Sequence, residues 1–371
     1  MSRFIALNHM AFSNILPNDF AVMRNIFSSL RSRNYRIYFI GQGVSLIGTW
    51  MQSIALSWLV YRITGSVFLL GLLGFTSQIP TFILSPFTGV LTDKFDRLKI
   101  MKLTQLFFML QALTVTILAM TNVVQVWHLI ALSVVFGTIT AFDAPARQSL
   151  VIDLIDHPED LGNAIALNSA IFNGARLIGP AIAGVTIAAV GEGICFLLNT
   201  LSFAAVLIAL SLVKIKKREA KPQKTNFKES FTEGFNYTFK TIPIRMLIIL
   251  LTVFSLFALS FIVLLPAYAK EIMKGGSETL GYLMSAMGAG ALCGALFMAS
   301  RKTVLGLGRI ILINSFLLGV MIILAALSAN LHLSLVILFF GGTSMILLLS
   351  SINTMLQTIA EEDKRGRVMS F

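Results

Sequence analysis

The sequence predicts an all-α membrane protein built from two pseudo-repeated bundles, the first of six helices and the second of four. Of its 371 residues 56% are hydrophobic and 12% are charged, whereas soluble domains are about one quarter charged. Apolar runs of about 20 residues, each long enough to cross the hydrocarbon core of a bilayer, recur from Arg36 onward. One such run would be ambiguous, but ten in succession predict a polytopic membrane protein.

Short polar breaks separate the predicted spans, and one long polar segment divides them into six and four. The spans are 36–61, 67–91, 99–121, 125–149, 163–190, 193–214, 245–269, 278–300, 308–329 and 332–357. Residues 1–35 form an N-terminal lead, 36–214 the first bundle, 215–244 a basic linker and 245–371 an incomplete second bundle. The lead is either a membrane-surface helix or a stretch upstream of an alternative start at Met23.

Lysine and arginine are concentrated in alternate loops, which predicts the orientation in the membrane. The N-terminal lead through Arg36 carries five, and the segment from Lys214 to Arg245 carries nine. The loops on the other side contain Arg62, Lys270 and Lys274. Because loops rich in Lys and Arg stay in the cytoplasm, we expect the N-terminus and the linker to be cytoplasmic, in a bacterial inner membrane. The net charge of +12 is spread over loops, which argues against nucleic-acid binding.

No pattern of residues points to an enzyme, a metal or a cofactor. Cys195 and Cys293 both fall inside predicted spans, and the four histidines are scattered without partners at ligand spacing. No glycine-rich loop followed by Lys and Ser or Thr is present, so direct use of ATP is not supported. An ion gradient is therefore the expected source of energy.

The loop after the second span resembles a signature of a known family. The segment GVLTDKFDRLK, residues 89–99, is similar to the Gly, Asp, Arg and basic-residue loop of the major facilitator superfamily, with Asp96 in place of the second glycine. The strings RSRNYRIYFIGQGVSLIGTWMQSIALSWLVYRITGS and FDAPARQSLV resemble the branch of enterobactin exporters and similar efflux permeases. The resemblance covers residues 30–371. It implies two bundles of six helices around a central cavity, alternating access driven by an ion gradient, and a monomer.

The resemblance implies proton-coupled export of a small siderophore-like or drug-like organic molecule. An importer on the same fold and a membrane scaffold or sensor without transport remain alternatives. Two departures weaken the analogy with drug–proton antiporters: Ser133 replaces an arginine of the fourth helix, and Ala183 replaces a glycine in the segment Gly179–Gly184. In that segment Gly179, Pro180 and Gly184 are expected to bend the fifth helix.

An offset of 204 residues suggests that the second half repeats the first. It relates the following positions: Arg97 to Arg301, Phe136-Gly137 to Phe340-Gly341, and Gly162 to Gly366. The same offset places the final segment RGRVMSF at the entrance of an eleventh helix. We therefore expect a chain that stops two helices short of the family's fold.

Asp143, Arg147 and Arg176 are the candidates for proton coupling or for an ion-pair switch. Asp143 is taken as the only carboxyl group well within a predicted span, since Glu278 is the first residue of its span, and Arg147 follows four residues later, on the same helix face. An ionisable group at membrane depth costs about 2.5–3.5 kcal/mol for Arg on insertion scales, so it usually has a partner or a cavity. A latch between helices four and five, a proton carrier and a substrate contact are the alternatives for these residues.

The loop motif is expected to act as a gate at the cytoplasmic side. Gly89 allows close helix approach, Asp93 faces the positive N-terminal end of a neighbouring helix, and Arg97 and Lys99 complete the motif. In the family that neighbour is the eleventh helix. An ordinary charged turn is the alternative.

Polar stripes on three helices are predicted to line the transport pathway together with Trp50. Interhelical hydrogen bonding is the competing interpretation of each stripe residue. The predicted lining residues are Gln42, Thr49, Trp50 and Gln52 in the first helix, Ser169 and Asn173 in the fifth, and Thr343, Ser350, Thr354 and Gln357 in the tenth.

Overall fold

The computed structural model describes residues 27–215, 237–301 and 303–360, without the side chains of residues 86 and 89–94. Within these ranges ten helices are long and apolar enough to cross a membrane, which confirms the all-α prediction. In chain order they are α1 Arg33–Thr64, α2 Val67–Lys94, α3 Arg97–Met120, α4 Val126–Leu154, α5 Leu161–Val190, α6 Glu192–Leu212, α7 Ile242–Ile272, α8 Ser277–Ser300, α9 Leu307–Leu327 and α10 Leu331–Ile359. Short 3-10 helices precede α1 and α5, at Ser28–Arg31 and Pro158–Asp160.

Helix α4 extends beyond its predicted end at residue 149 to Leu154. The prediction that Asp143 is the only carboxyl group within a span is therefore wrong, because α4 also contains Asp153. The Asp153 carboxylate lies 3.0 Å from Nη1 of Arg97 at the start of α3. The positive charge of Arg97 compensates the Asp153 carboxylate, so α4 can continue past this residue to Leu154.

Helix α7 is not a uniform α-helix, although its apolar run predicts one. Two π-helical segments, Ser255–Leu259 and Tyr268–Ile272, flank the α-helical segment Ser260–Ala267. Pro266 lies in that segment and has no amide hydrogen to donate to the preceding turn. A change of hydrogen-bond register leaves hydropathy unaltered, so composition alone does not reveal it.

Helices α1 to α6 form the N-terminal bundle and α7 to α10 the C-terminal bundle. Equivalent helix pairs pack in both, α2 on α4 and α8 on α10. Gly137 of α4 faces the Ser77 carbonyl of α2, and Gly342 of α10 faces the Met287 carbonyl of α8, each too closely for a Cβ. The structural counterpart of Gly137 is thus Gly342, one residue beyond the Gly341 that the repeat offset predicts.

Successive helices run in alternate directions, so their ends define two faces of the molecule. We call the face that carries the start of α1 and the ends of α2, α4, α6, α8 and α10 the basic face, after its Lys- and Arg-rich segments. The other face, with the α1–α2 and α7–α8 connections, is called the opposite face.

The hydrophobic core is continuous near the opposite face and divided near the basic face. A shared core joins both bundles through residues such as Met51, Ile187, Leu265, Leu280 and Ile337. Nearer the basic face, one cluster belongs to the N-terminal bundle alone and another to the C-terminal bundle alone. Among the described residues, the two bundles therefore share one core near the opposite face and have separate cores near the basic face.

Several predictions concern parts outside the described residues. They are the N-terminal lead up to residue 26, residues 216–236 of the linker, the final segment RGRVMSF and, in the loop motif, the packing of Gly89 and the side chain of Asp93. Their expected roles stay predictions.

Candidate functional site

Arg176 lies near the middle of the 30-residue helix α5, and only 9% of it is exposed. Its guanidinium carbon is 5.6 Å from the ring centre of Trp50 on α1, within the range of a cation–π contact. Nη2 lies 3.7 Å from the Met345 sulfur on α10, and Nε is buried without a hydrogen-bond partner. Arg176 thus contacts both bundles and leaves most of its donors unused.

An aromatic corner stands beside this arginine. The ring of Phe172 meets the Trp50 ring edge to face at a centroid distance of 5.9 Å. Gly179 packs so closely on α1 that a Cβ there would lie 3.0 Å from the Ile47 carbonyl oxygen. The small residue therefore brings α5 and α1 together next to Trp50.

The polar stripe of α5 satisfies itself along its own helix. Ser169 Oγ donates to the Ile165 carbonyl and Asn173 Nδ2 donates to the Ser169 carbonyl. Ser169 is exposed and Asn173 is partly exposed. Both lie on the same helix face as Arg176, one and two turns nearer the basic face.

The glycines of the predicted bend in α5 lie at contacts with neighbouring helices. Helix α5 is continuous through Pro180, and Gly184 lies against α8, where a Cβ would be 2.9 Å from the Gly281 Cα. The Pro180 carbonyl oxygen lies at the same 2.9 Å from a Cβ built on Gly281. Gly179 and Gly184 therefore permit close contact with α1 and α8.

Asp143 is buried within the N-terminal bundle, where one carboxylate oxygen accepts two hydrogen bonds and the other faces an arginine. Its Oδ1 accepts from Thr104 Oγ1 and Gln105 Nε2 of α3, each at 2.8 Å. Its Oδ2 is 3.5 Å from Nε of Arg147, the predicted partner one turn on. The described ion pairs of Asp143 do not include Arg176, so the structure does not contain the expected latch between α4 and α5. Asp143 instead joins α4 to α3.

The described residues of the loop motif cap the start of α3 and attach it to α4. Asp96 caps this helix, because Oδ1 accepts from the backbone N–H groups of Leu98 and Lys99. Arg97 donates to Asp153 Oδ2 and to the Ser149 carbonyl of α4, whereas Lys99 is exposed. The replacement of the family's second glycine by Asp96 thus has a local reason.

In α1, Gln52 forms hydrogen bonds between helices, which was the competing interpretation of the polar stripe. Its amide donates to Gln111 Oε1 of α3 at 2.9 Å and accepts from Asn199 Nδ2 of α6 at 2.8 Å. Gln42 is buried with an unpartnered Oε1, and the Thr49 hydroxyl bonds to the backbone of its own helix. Trp50 remains the α1 residue that meets Arg176.

In α10, the predicted stripe is not the surface that contacts Arg176. Thr343 donates to the Gly290 carbonyl of α8, Thr354 donates to the Ser350 carbonyl, and Gln357 donates to Asn353. Met345 is two residues from Thr343 and therefore on the other side of the helix. The sequence interpretation selected the polar residues of α10 as the lining and did not select Met345, because methionine is apolar.

Three contacts at the opposite face were missed by the sequence interpretation. Tyr61 donates to Glu271 Oε1 at 3.2 Å, so α1 is bonded to α7. Lys270 Nζ lies 5.5 Å from the centre of the Tyr61 ring, and Arg62 Nε lies 2.8 Å from Glu192 Oε1. The available signal was the presence of charged residues in loops that are otherwise poor in them.

Comparison with known proteins agrees with the family resemblance. The family model described as a transmembrane secretion effector of the major facilitator superfamily matches residues 24–371. The chain is 27% identical to the staphyloferrin A transporter of Staphylococcus aureus (strain NCTC 8325 / PS 47), over 91% of this chain and 84% of that protein. It is 24% identical to the multidrug efflux pump Tap of Mycolicibacterium fortuitum, over 87% and 80%.

Solved structures share the fold. A bacterial homolog of the human lysosomal transporter Spinster, in an inward-facing and unoccupied conformation, matches with a TM-score of 0.69 at 15% identity, over 92% of this chain and 78% of that one. A bacterial homologue of the iron transporter ferroportin, inward-facing, matches with a TM-score of 0.66 at 17% identity, over 91% and 87%. The chain belongs to the transmembrane secretion effector family of the major facilitator superfamily, and it is a membrane transporter by family and not an enzyme.

Proposed function

We propose that this protein is a proton-coupled exporter of small organic molecules that works by alternating access. The observation that carries the proposal is the division of the hydrophobic core, which is shared at the opposite face and separate at the basic face. This asymmetry is what a carrier needs when its central site is accessible from one side only. The proposed cycle separates the shared core and closes the basic half around the same site.

Within the described residues, the side-chain hydrogen bonds between the bundles at the opposite face are few, which supports a reversible closure. They are the Tyr61–Glu271 bond and two bonds from α8 to α5 backbone carbonyls. Those two are Ser277 Oγ to Gly184 at 3.3 Å and Ser285 Oγ to Leu177 at 3.1 Å. The rest of the contact consists of the shared apolar core and the close packing of α5 on α8. Single neutral hydrogen bonds contribute about 0.5–1.5 kcal/mol each, so such a closure can reopen.

Asp143 is the proposed proton-binding group. As a carboxylate it accepts from Thr104 and Gln105 and faces Arg147. The Thr104 hydroxyl also lies 3.0 Å from the Met101 carbonyl, to which its single proton can turn. Gln105 Oε1 is buried without a partner. A protonated Asp143 would therefore find an acceptor in Thr104 Oγ1, or in Gln105 Oε1 once that amide has turned over, so the pocket can accommodate both protonation states.

Orientation and location follow from the charge of the loops. We place the basic face in the cytoplasm and the protein in the cytoplasmic membrane of a bacterium, as a monomer. With this orientation the central site opens to the cytoplasm, where an exporter collects its substrate. The loop motif residues Gly89, Asp93, Arg97 and Lys99 are proposed to control the basic half.

Transport in everted membrane vesicles tests the direction and the coupling. The probes are radiolabelled staphyloferrin A and ethidium, representing the siderophore and drug classes named for the relatives. We expect an acid vesicle interior to drive accumulation of at least one probe, and nigericin to abolish it. Asp143→Asn should remove the dependence on the gradient. Glu192→Gln is the matched control, since Glu192 is also buried and paired but lies at the opposite face.

Two outcomes would contradict the proposal. Accumulation only in right-side-out vesicles would indicate an importer on the same fold. Absence of gradient-dependent flux of both probes in both vesicle types would indicate a scaffold or sensor.

A further inference from the structure

We infer that Arg176 and Trp50 bind the anionic group of the transported molecule, and that the substrates are therefore organic anions, carboxylates in the first place, with an apolar or aromatic part. This inference rests on the proposed transport function and specifies the charge of its substrates. It is carried by the contacts of Arg176, by its position between the bundles and by the chemistry of the guanidinium group.

Arg176 differs from the paired arginines in the described part of the chain. Arg62, Arg97 and Arg147 each lie within ion-pair distance of a carboxylate, at 2.8, 3.0 and 3.5 Å. Their side chains are 52%, 25% and 28% exposed. Arg176 is the most deeply buried of the four and takes part in none of the described ion pairs. A buried charge without a partner is normally compensated or removed, so a compensating anion is the missing element.

Arg176 also lies at the boundary between the shared core and the two separate cores. On α5, Ala183 belongs to the shared core and Leu167 to the core of the N-terminal bundle. On α10, Leu338 belongs to the shared core and Met345 to the core of the C-terminal bundle. The guanidinium group therefore lies at mid-depth, where the shared core gives way to the two separate cores and where Arg176 contacts both bundles.

The geometry selects the class of ligand. A guanidinium group has five N–H donors in a planar fork that matches the two oxygens of a carboxylate. The Met345 sulfur is a weak acceptor, and buried Nε has no partner at all. The edge-to-face pair of Trp50 and Phe172 forms an apolar aromatic corner next to this fork. An aromatic or aliphatic carboxylate satisfies both features, whereas a cationic substrate would be repelled by the positive charge of Arg176.

A purely structural role is the competing explanation, in which the cation–π contact with Trp50 fixes α5 to α1. The two explanations differ in what the arginine does for stability. A charge that holds helices together lowers the melting temperature when it is removed. If Arg176 instead serves to bind a ligand, its replacement by a neutral residue of similar size should leave the melting temperature unchanged or raise it.

Binding is measured on the full chain in nanodiscs, with empty nanodiscs to subtract partition into lipid. The probes are radiolabelled 2-naphthoate and 2-naphthamide, which share size and shape and differ in charge. We expect the wild type to bind naphthoate at least about 10-fold more tightly, since hydrogen bonds to charged groups are the stronger ones. Arg176→Gln should reduce this ratio to within about two-fold while naphthamide binding is retained.

Two further variants separate charge from shape. Arg176→Lys keeps the charge without the fork and should give an intermediate preference for naphthoate. Met345→Leu removes the sulfur contact and keeps the guanidinium group, so it should retain the full preference. Melting temperatures of all variants, recorded without ligand, complete the set, and Arg176→Gln should not fall below the wild type.

The inference is overturned if the wild type does not prefer naphthoate, or if Arg176→Gln keeps the preference. A melting temperature of Arg176→Gln below that of the wild type, with the naphthoate preference intact, assigns Arg176 to the structural role. The proposed transport function is tested independently. Gradient-driven flux without a preference for anions would support export and contradict the anion site. A preference for anions without flux would support the anion site and contradict export.

Discussion

The half of the molecule near the opposite face and the half near the basic face contain the same ten helices of the described chain but use different interactions. Near the opposite face the bundles meet through one apolar core and through glycines such as Gly184 and Gly281. Near the basic face the charged contacts, Arg97 with Asp153 and Asp143 with Arg147, stay within the N-terminal bundle. The described ion pairs near the basic face thus lie within one bundle, whereas an apolar core, close glycine packing and a few hydrogen bonds hold the two bundles to each other.

This difference explains how a carrier can move without unfolding. Separation of the shared core exposes apolar surface but breaks none of the described ion pairs. Rearrangement inside the N-terminal bundle would break the hydrogen bonds that Asp143 accepts from α3 and the Arg97–Asp153 pair, which would leave a buried carboxylate without its donors. The bundles are therefore expected to move as units, and the following variants test each half.

The largest effect is expected from Asp143→Leu, which removes the polar centre of the N-terminal bundle. The buried donors of Thr104 and Gln105 lose their acceptor, and Arg147 loses its partner. We expect a loss of about 3 kcal/mol in stability, the lower end for breaking a buried pair, since Arg147 is partly exposed. Thermal unfolding in detergent, followed by size-exclusion chromatography, measures it.

Asp143→Asn is the matched control for this variant, because an amide oxygen still accepts from Thr104. Its loss should be less than half of that of Asp143→Leu. Equal melting temperatures of Asp143→Leu and the wild type would show that the polar cluster does not stabilise the bundle, and the comparison between the halves would fail.

Gly281→Leu is expected to have the next largest effect, on the contact between the bundles. A Cβ at this position would lie 2.9 Å from the Gly184 Cα and from the Pro180 carbonyl oxygen, both on α5. Overpacking of this kind costs about 1–3 kcal/mol, and here it acts on the closed opposite face. The reporter is Met284→Cys in a Cys195→Ala, Cys293→Ser background, since both native thiols are free, Cys195 lies in the shared core, and Met284 in that core is only 5% exposed.

Reaction of this cysteine with a membrane-impermeant thiol reagent, added from the side of the opposite face, should accelerate roughly 5- to 150-fold if the closed state loses that energy. Gly71→Leu is the control, because nothing lies within 4 Å of a Cβ at Gly71. An unchanged rate in Gly281→Leu would mean that the glycine contact does not hold the opposite face closed.

The sequence was sufficient for the fold because apolar length and loop charge are properties of consecutive residues. All ten spans were found, and their ends differ from the observed helices by a few residues. The largest difference is at the end of α4, which was predicted at residue 149 and is observed at Leu154, beyond Asp153. Its partner Arg97 is distant in sequence, and hydropathy does not register such a pairing.

The candidate site was predicted only in part, since it depends on which residue of a helix faces which neighbour. The Asp143–Arg147 spacing is local, and the two residues lie together as their spacing indicated. The contacts of Arg176 with Trp50 and Met345 join three helices and could not be derived from spacing. Gln52 and Thr343 looked like pathway residues because a polar stripe has the same pattern whether it bonds to a helix or lines a cavity.

Tyr61→Phe is expected to have a smaller effect on the opposite face. It removes the hydroxyl that donates to Glu271 Oε1 and retains a ring beside Lys270. One hydrogen bond between the bundles is worth about 0.5–1.5 kcal/mol, so the Met284→Cys reporter should react roughly 2- to 12-fold faster. Ser57→Ala, which removes a hydroxyl bonded within its own helix, is the control and should leave the rate unchanged. A Tyr61→Phe rate equal to that of the control would exclude this bond from the closure.

Arg97→Gln is expected to have the smallest effect and to separate the two kinds of contact. The Arg97–Asp153 pair is partly exposed, at 25% and 13%, and pairs of this type contribute about 0.2–1 kcal/mol. The melting temperature should fall slightly, because α3 is less firmly attached to α4. The Met284→Cys reporter at the opposite face should react at the wild-type rate, since Arg97 bonds within its own bundle and far from the shared core. Faster reaction in Arg97→Gln would mean that a contact internal to one bundle also controls closure between the bundles, and the bundles could no longer be treated as units that move independently of their internal pairs.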